Sequence, residues 1–291
     1  MTGAWADATL PSSVKRIGIL YHPLLEKAQT LSQQLEDYLS SRGVSSWQCS
    51  TNDEDKARLQ LADTDLILSI GGDGTILRVV RIITPSSVPI LGVNLGKLGF
   101  ITEIRGDEVL SSLPGLLEGD GWIEERAMVE SRVEDKSFHA LNDVVLRSIA
   151  VRLVSIEAEV DGTAIATYRA DGMIAATATG STSYSLASGG PILHPQSRNI
   201  VLQPISCHLG LSHAIVLPPD STVNLRVAHR DSVVLCIDGQ VEVPLSAGQS
   251  IIVRLSHHTV RFLRAHDPAY FYSLLGTKLR GGATGSSYRG S

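Results

Sequence analysis

Residues 65–78, DLILSIGGDGTILR, constrain this chain more than any other stretch. A short apolar run fit for a buried strand passes through Gly71-Gly72-Asp73-Gly74 straight into a helical stretch that ends before Pro85. A strand that turns into a helix within four residues belongs to a layered α/β sheet. The flanking sequence agrees. RIGILY at 16–21 predicts a first buried strand. Leu24, Ala28, Leu31, Leu35 and Leu39 recur at helical spacing before a Gly43 stop, and PILGV at 89–93 predicts a third strand. Residues 107–117 predict one more helix, which Pro114 weakens. The first part of the chain therefore predicts an open, mostly parallel α/β sheet.

From about residue 123 the texture changes. Segments 151–160, 222–228, 233–237, 240–243, 251–255 and 260–263 are short and rich in Val and Ile. Two of the turns between such segments are Asp-Gly pairs, Asp161-Gly162 and Asp238-Gly239, the favoured hairpin connection. This half predicts an antiparallel β-sandwich. The expected division is an α/β domain over 14–122, a β-sandwich over 123–267, and a helix at 268–280 that packs back on the first domain. Residues 1–13 and the Gly/Ser-rich 281–291 are expected to be flexible tails.

Composition narrows the function classes. Twenty-five basic against 30 acidic residues give a net charge of −5, without the positive field that nucleic-acid binding requires. Cys49, Cys207 and Cys236 are far apart with no C-x-x-C, which argues against disulfides and zinc and suits a reducing cytoplasm. No apolar run approaches the ~18 residues of a membrane helix, and the first residues carry no secretory pattern. The nine histidines form no metal-ligand pattern; His257 and His258, adjacent on a strand, are expected on opposite faces. No protein-held metal site is predicted.

The glycine turn has a chemistry of its own. Glycines let backbone N–H groups approach a phosphate, and the helix N-terminus adds partial positive charge. It is neither a Walker A loop nor a G-x-G-x-x-G, and the near miss from Gly92 to Lys97 is one residue short. A carboxylate such as Asp73 repels a phosphate unless it meets a metal ion or a proton that must be removed, as in a kinase acting on a hydroxyl. The alternative is that Asp73 caps the helix. From the residues alone both readings stand.

Other motifs narrow the choice. Leu141-Asn142-Asp143-Val144 opens the β-rich part, Tyr168-Arg169-Ala170-Asp171-Gly172 follows, then Thr177-Ala178-Thr179-Gly180-Ser181-Thr182-Ser183-Tyr184, and later Ile237-Asp238-Gly239-Gln240. Together with Gly-Gly-Asp-Gly-Thr, and in this order across about 16–280, they closely resemble the NAD kinase family. Gly-Gly-Asp-Gly-Thr alone is shared with diacylglycerol, sphingosine and phosphofructokinase-type kinases. The Gly-Ser-Thr-Ser-Tyr segment and the Asn-Asp pair make the narrower match.

The resemblance implies an α/β domain joined to a β-sandwich and an ATP-dependent phosphotransferase. NAD and ATP would be substrates, with Mg²⁺ or another divalent cation accompanying ATP, in a homodimer or homotetramer. By position, Asp73 would accept the proton of the ribose 2′-hydroxyl, and Gly71, Gly72 and Gly74 would face phosphate. Asn142 and Asp143 would hold the dinucleotide, with Arg169 and Asp171 lining the same pocket. Thr182, Ser183, Tyr184, Ser185, Leu186 and Ala187 would wrap the adenine-ribose half. Gln240 would approach from the second domain, and Arg78 would face the dinucleotide phosphates. Asp143 stands where many members have Glu, Ala178 replaces a usual Pro, and Ser183 a common Ala.

Plainer readings accompany each. Asn142-Asp143 is on spacing alone a turn, 179–182 a helix cap, and Arg78 and Arg169 solvated charges. Two other functions compete: a lipid kinase, disfavoured by the lack of a basic amphipathic helix, and a non-catalytic dinucleotide-binding protein, which would gain nothing from Asp73.

Overall fold

The computed structural model describes residues 10, 14–96, 98–150, 152–228 and 232–280. Apart from Leu10, the tails expected at 1–13 and 281–291 lie outside the described residues, as do Lys97 and Val151. The first part runs β1 (Arg16–Tyr21), α1 (Glu26–Ser41), β2 (Ser45–Ser50), α2 (Glu54–Gln60), β3 (Leu66–Gly71), α3 (Asp73–Ile83), β4 (Ile90–Asn94), β5 (Ile104–Arg105) and α4 (Val109–Glu118). The four main strands pair in parallel in the order β2-β1-β3-β4.

The continuous apolar run in β3 reflects burial on both faces. Leu66, Leu68 and Ile70 pack with Leu31, Leu35 and Leu39 of α1 and with Val109 and Leu113 of α4. Ile67 points the other way, into Ala57 of α2 and Ile76 and Val80 of α3. β2 and α2 left no readable signal. In β2, SSWQCS, only Trp47 and Cys49 face inward, too few to show a period. α4 forms despite the internal Pro114, held by the burial of Val109, Leu113 and Leu116, and stops at Gly119 with φ 104°.

The second part comprises β6 (Trp122–Val133), β7 (Lys136–Ala140), β8 (Asp143–Ser148), β9 (Val154–Val160), β10 (Thr163–Ala170), β11 (Gly172–Ala176), a 3₁₀ turn (Gly180–Thr182) and α5 (Tyr184–Ala187). Then follow β12 (Ile200–Ile205), β13 (Ile215–Leu217), β14 (Val223–Val227), β15 (Val233–Ile237), β16 (Val241–Leu245), β17 (Ser250–Arg264) and α6 (Tyr270–Arg280). One antiparallel sheet has the order β13-β12-β11-β8-β15-β16. It packs through Leu146, Met173, Leu202 and Leu235 against Val129, Ile156, Leu225 and Val253 of a second sheet, which makes the sandwich. Both Asp-Gly pairs form hairpins with their residues in the left-handed region: Asp161 φ 52° and Gly162 φ 77°, Asp238 φ 49° and Gly239 φ 64°.

Three expectations change. The second sheet of the sandwich is not separate from the α/β sheet: β10-β9-β14-β17 continues into β4-β3-β1-β2, through a parallel pairing of Phe262 with Ile90. The segments 251–255 and 260–263 are likewise one long strand, β17, whose register against β6 shifts between Leu255 and Thr259. That irregularity breaks strict alternation, so the rings of His257 and His258 sit 3.8 Å apart instead of on opposite faces. α6 lies with Lys278 5.4 Å from the centroid of the Phe100 ring and with Phe271 beside His194. Among the described residues no helix is long and apolar enough to cross a membrane.

Candidate active site

The glycine turn joins β3 to α3. Gly71 closes the strand, and a Cβ there would overlap the Thr75 side chain. Gly72 takes the cap position of α3, so Asp73 is the first helical residue and not the cap. Its carboxylate turns to residues 99–102, accepting hydrogen bonds from the backbone N–H of Phe100 at 2.9 Å, Ile101 at 3.3 Å and Thr102 at 3.2 Å. The contact is close enough that a Cβ on Gly99 would collide with the carboxylate.

Behind this segment lies a buried charge network. Arg264, at the end of β17, donates to the Ile101 carbonyl at 2.8 Å, to Glu103 at 2.9 Å and to Glu124 at 2.7 Å. Arg126 donates to the same Glu124 oxygen at 2.9 Å and reaches Thr179 at 3.5 Å. Burial opposes ionisation of Glu124, but Arg264 and Arg126 outweigh it and hold the carboxyl down at about 2. Burial pushes the Arg126 guanidinium below its ordinary value, while Glu124, and more weakly Asp73, pull it back up. Asp73 thus shares the field of a cation that touches the 177–182 segment.

The other wall is built on Asp238. Its turn is partly exposed, but its carboxylate is directed inward and accepts from the N–H groups of Leu141, Asn142 and Asp143 at 2.8, 2.7 and 3.1 Å. The Asn142 carbonyl accepts from Thr177 N–H, and a Cβ on Gly180 would collide with that carbonyl. The 141–143 and 177–182 motifs, 36 residues apart in sequence, are therefore packed backbone to backbone. Burial, with the Asp238 charge beside it, pushes Asp143 up to about 7. Asp238 is raised to about 6 by burial, even though three N–H groups favour its charged form.

The two walls meet where Gln240 Nε2 donates to the Gly74 carbonyl at 3.1 Å. Beside this contact opens a cleft of about 780 Å³, lined by Gly72, Gly74, Arg78, Arg81 and 238–240 among others. Arg78 bonds the neutral Asn52 at 3.0 Å, and Arg81 pairs with Glu54. Asn142 Oδ1, Ser185 Oγ and Gln240 Oε1 are buried without a hydrogen-bond partner. Orphaned buried acceptors and hydroxyls of this kind fit a polar ligand.

Residues 24–121 match the ATP-NAD kinase N-terminal domain and 141–265 the ATP-NAD kinase C-terminal domain. The NAD kinase of Dehalococcoides mccartyi strain CBDB1 is 43% identical over 274 residues, covering 92% of this chain and 96% of its own. That of Chloroflexus aurantiacus strain J-10-fl is 39% identical over 92% of this chain and 99% of its own. This chain belongs to the ATP-NAD kinase family. Among solved structures, an NAD kinase from Archaeoglobus fulgidus in complex with ATP superposes with a TM-score of 0.75 at 25% identity, over 90% of this chain and 97% of that one. Yeast NADH kinase complexed with NADH shares the fold, with a TM-score of 0.77 at 22% identity over 98% and 94% of the two chains.

Set within an ATP-NAD kinase fold, the residues singled out in the sequence fall into three groups. Gly71, Gly72, Asp73, Gly74, Arg78, Asn142, Asp143 and Gln240 gather around the junction just described. The 182–187 stretch extends from the 3₁₀ turn through α5, with Ser183, Tyr184 and Ala187 exposed, Thr182 and Leu186 half-buried, and Ser185 buried. Arg169 and Asp171 are the correction: within one chain they do not join the pocket of Asn142 and Asp143. β11 pairs Ala176 with Asp143, which leaves Asp171 five residues, roughly 16 Å, along the strand. Their exposed positions are fixed by backbone bonds to Leu209, Ile205 and Ser148.

Sequence reasoning missed Asp238, Arg126, Glu124, Arg264 and the 99–102 segment. Asp238 was hidden because Asp-Gly already explains a hairpin. Glu124 and Arg126 did leave a signal: opposite charges at i and i+2 lie on one strand face, and here that face is buried.

Proposed function

We propose that this protein transfers the γ-phosphoryl group of ATP to the 2′-hydroxyl of the adenosine ribose of NAD, with Asp73 accepting the hydroxyl proton. The ribose oxygen bonds to phosphorus as the bond to the β,γ-bridging oxygen breaks; ADP leaves, and NADP and a protonated Asp73 remain. The observation that carries this reading is the Asp73 carboxylate, fixed at the strand-to-helix turn by three backbone donors. A carboxylate offers about four lone-pair positions, so about one stays open for the incoming O–H. A ribose hydroxyl is a weak acid, so the proton moves late, as the oxygen attacks.

The remaining residues position the substrates. Gly72 and Gly74 leave room above the α3 N-terminus, while Gly71 makes space for Thr75 beneath it, and Arg78 and Arg81 supply positive charge for phosphates. The unpartnered atoms of Asn142 and Gln240 fit the dinucleotide, with Asp143 and 182–187 beside them. The Archaeoglobus relative, captured with ATP, supports the donor. Among the described residues no cluster of three His, Cys, Asp or Glu is placed to hold a metal. A divalent cation fits here as Mg²⁺ carried by the ATP phosphates, which it neutralises, with at most one or two carboxylates from the protein.

The same reading places the protein in the cytoplasm, divides it into domains at 14–122 and 123–267 with 268–280 docked on the first, and makes it a homodimer or homotetramer. The separation of Arg169 and Asp171 from Asp143 fits their being supplied to a neighbouring copy's site.

Asp73→Asn tests the chemistry. The expected result, in a coupled assay with ATP, Mg²⁺ and NAD, is a fall in kcat of about 10²–10⁴-fold with NAD still bound. Wild-type turnover in that variant removes Asp73 from the mechanism.

A further inference from the structure

We infer that the 99–102 segment is a positioning cradle for the Asp73 carboxylate, and that the buried Arg264–Glu103 pair locks this cradle from behind. The inference rests on the proposed role of Asp73 as proton acceptor. The three N–H groups that hold Asp73 come from successive residues of a segment that is neither helix nor strand. Such a segment keeps three donors converged on one carboxylate only if something fixes its backbone. Two contacts do so. Thr102 Oγ1 accepts from Gly99 N–H at 2.7 Å and closes the loop on itself. Arg264 binds the Ile101 carbonyl at 2.8 Å and Glu103 at 2.9 Å, on the side away from Asp73.

Glu103 is itself fully engaged. Its second oxygen accepts from the Ala265 and His266 N–H groups, both at 2.9 Å, and lies 2.8 Å from His266 Nδ1. The pair therefore clamps the segment after β4 to the end of β17, more than 160 residues later in the chain. Glu103 and Arg264 are each about 5% exposed, and the network meets solvent at His266. Neither side chain touches the cleft, so neither is a catalytic residue; they act through the geometry they give Asp73. Misplacement of a reacting group by about 1 Å costs up to ~10²-fold in rate, so the lock is expected to show in turnover before binding.

The test is a double-mutant cycle between Glu103→Gln and Asp73→Asn, with kcat and KM for both substrates and thermal melting followed in each variant. Glu103→Gln keeps the shape and the oxygen that the Ala265 and His266 N–H groups use but removes the charge that holds Arg264. The expected result is a kcat about 10–100-fold lower, with KM for NAD and for ATP changed less than about 3-fold. In the Asp73→Asn background the same change has no further effect on kcat, because the group it positions is gone. Equal losses in both backgrounds, or a loss confined to KM, overturn the cradle while leaving the role of Asp73 intact. An Asp73→Asn enzyme with normal turnover overturns that role instead. If Glu103→Gln does not fold, Arg264→Lys, which keeps the buried charge but loses the forked contacts, is measured in the same cycle with the same expectations. Gly99→Ala gives an independent reading from the other side, since its methyl displaces the carboxylate directly; unchanged kcat there also overturns the cradle.

Discussion

At the scale of single residues, Asp143 and Asp238 form a buried carboxyl pair that runs against stability. Burial raises both, and the Asp238 charge adds to the rise at Asp143, so that Asp143 stands at about 7 and Asp238 at about 6, above the ordinary aspartate value. At these two groups the folded protein holds more protons than the unfolded chain between about pH 4 and 7, so their contribution to stability falls as pH rises through that window. Asp143→Asn removes one of the two charges. Its melting temperature relative to wild type is expected to climb from pH 5 to pH 8, by the equivalent of about 1–3 kcal/mol, while affinity for NAD drops. A difference in melting temperature that is flat with pH shows that the pair is not strained. Asn142-Asp143 on spacing alone was a plain turn; what sets it apart in the structure is the Asp238 carboxylate beneath it, 95 residues away in sequence.

At the scale of elements, the strand–glycine–helix unit was legible because each part has its own signal: an apolar run, glycines, then helical spacing. The helix extends two residues further towards its N-terminus than the spacing predicted, because Gly72 takes the cap and Asp73 enters the first turn. β2 and α2 were illegible because an edge strand with two inward residues and a seven-residue helix with one buried residue carry no usable period. The 3₁₀ turn before α5 depends on Gly180 for a reason only packing shows. Its Cα lies against the Asn142 carbonyl, where no Cβ fits. Gly180→Ala is expected to push the 177–182 turn off the 141–143 segment and raise KM for NAD about 10-fold or more; steady-state kinetics at fixed ATP read this directly. An unchanged KM detaches that turn from dinucleotide binding.

Across the whole molecule, β17 decides how the parts behave together. It pairs with β14 and β6 in the sandwich and touches β4 of the parallel sheet, and Val260 and Phe262 share a core with Ile76, Leu77 and Ile90. Met128 and Leu141, also from the second part, enter the same core. Two regions that share a sheet and a core lose both when either unfolds, so calorimetry is expected to show a single transition coincident with far-ultraviolet circular dichroism. Two separated transitions contradict this coupling. Phe262→Ala opens the shared core and is expected to cost about 3–5 kcal/mol, lowering that single transition without splitting it.

The sequence by itself determined what is local: the alternation of strands and helices, the two Asp-Gly hairpins, the glycine turn with its carboxylate, and the ordered motifs that resemble one kinase family. Each depends on residues within reach of one another along the chain, where backbone preference and hydrophobic period leave a mark. Tertiary structure alone decided what holds these pieces in register. The sheet running through both parts, the Asp238 support beneath 141–143, and the Arg264–Glu103 clamp behind Asp73 join residues about 95 to 170 positions apart. A buried charge earns its partner only after the chain has folded, and no periodicity along the sequence records which partner that will be.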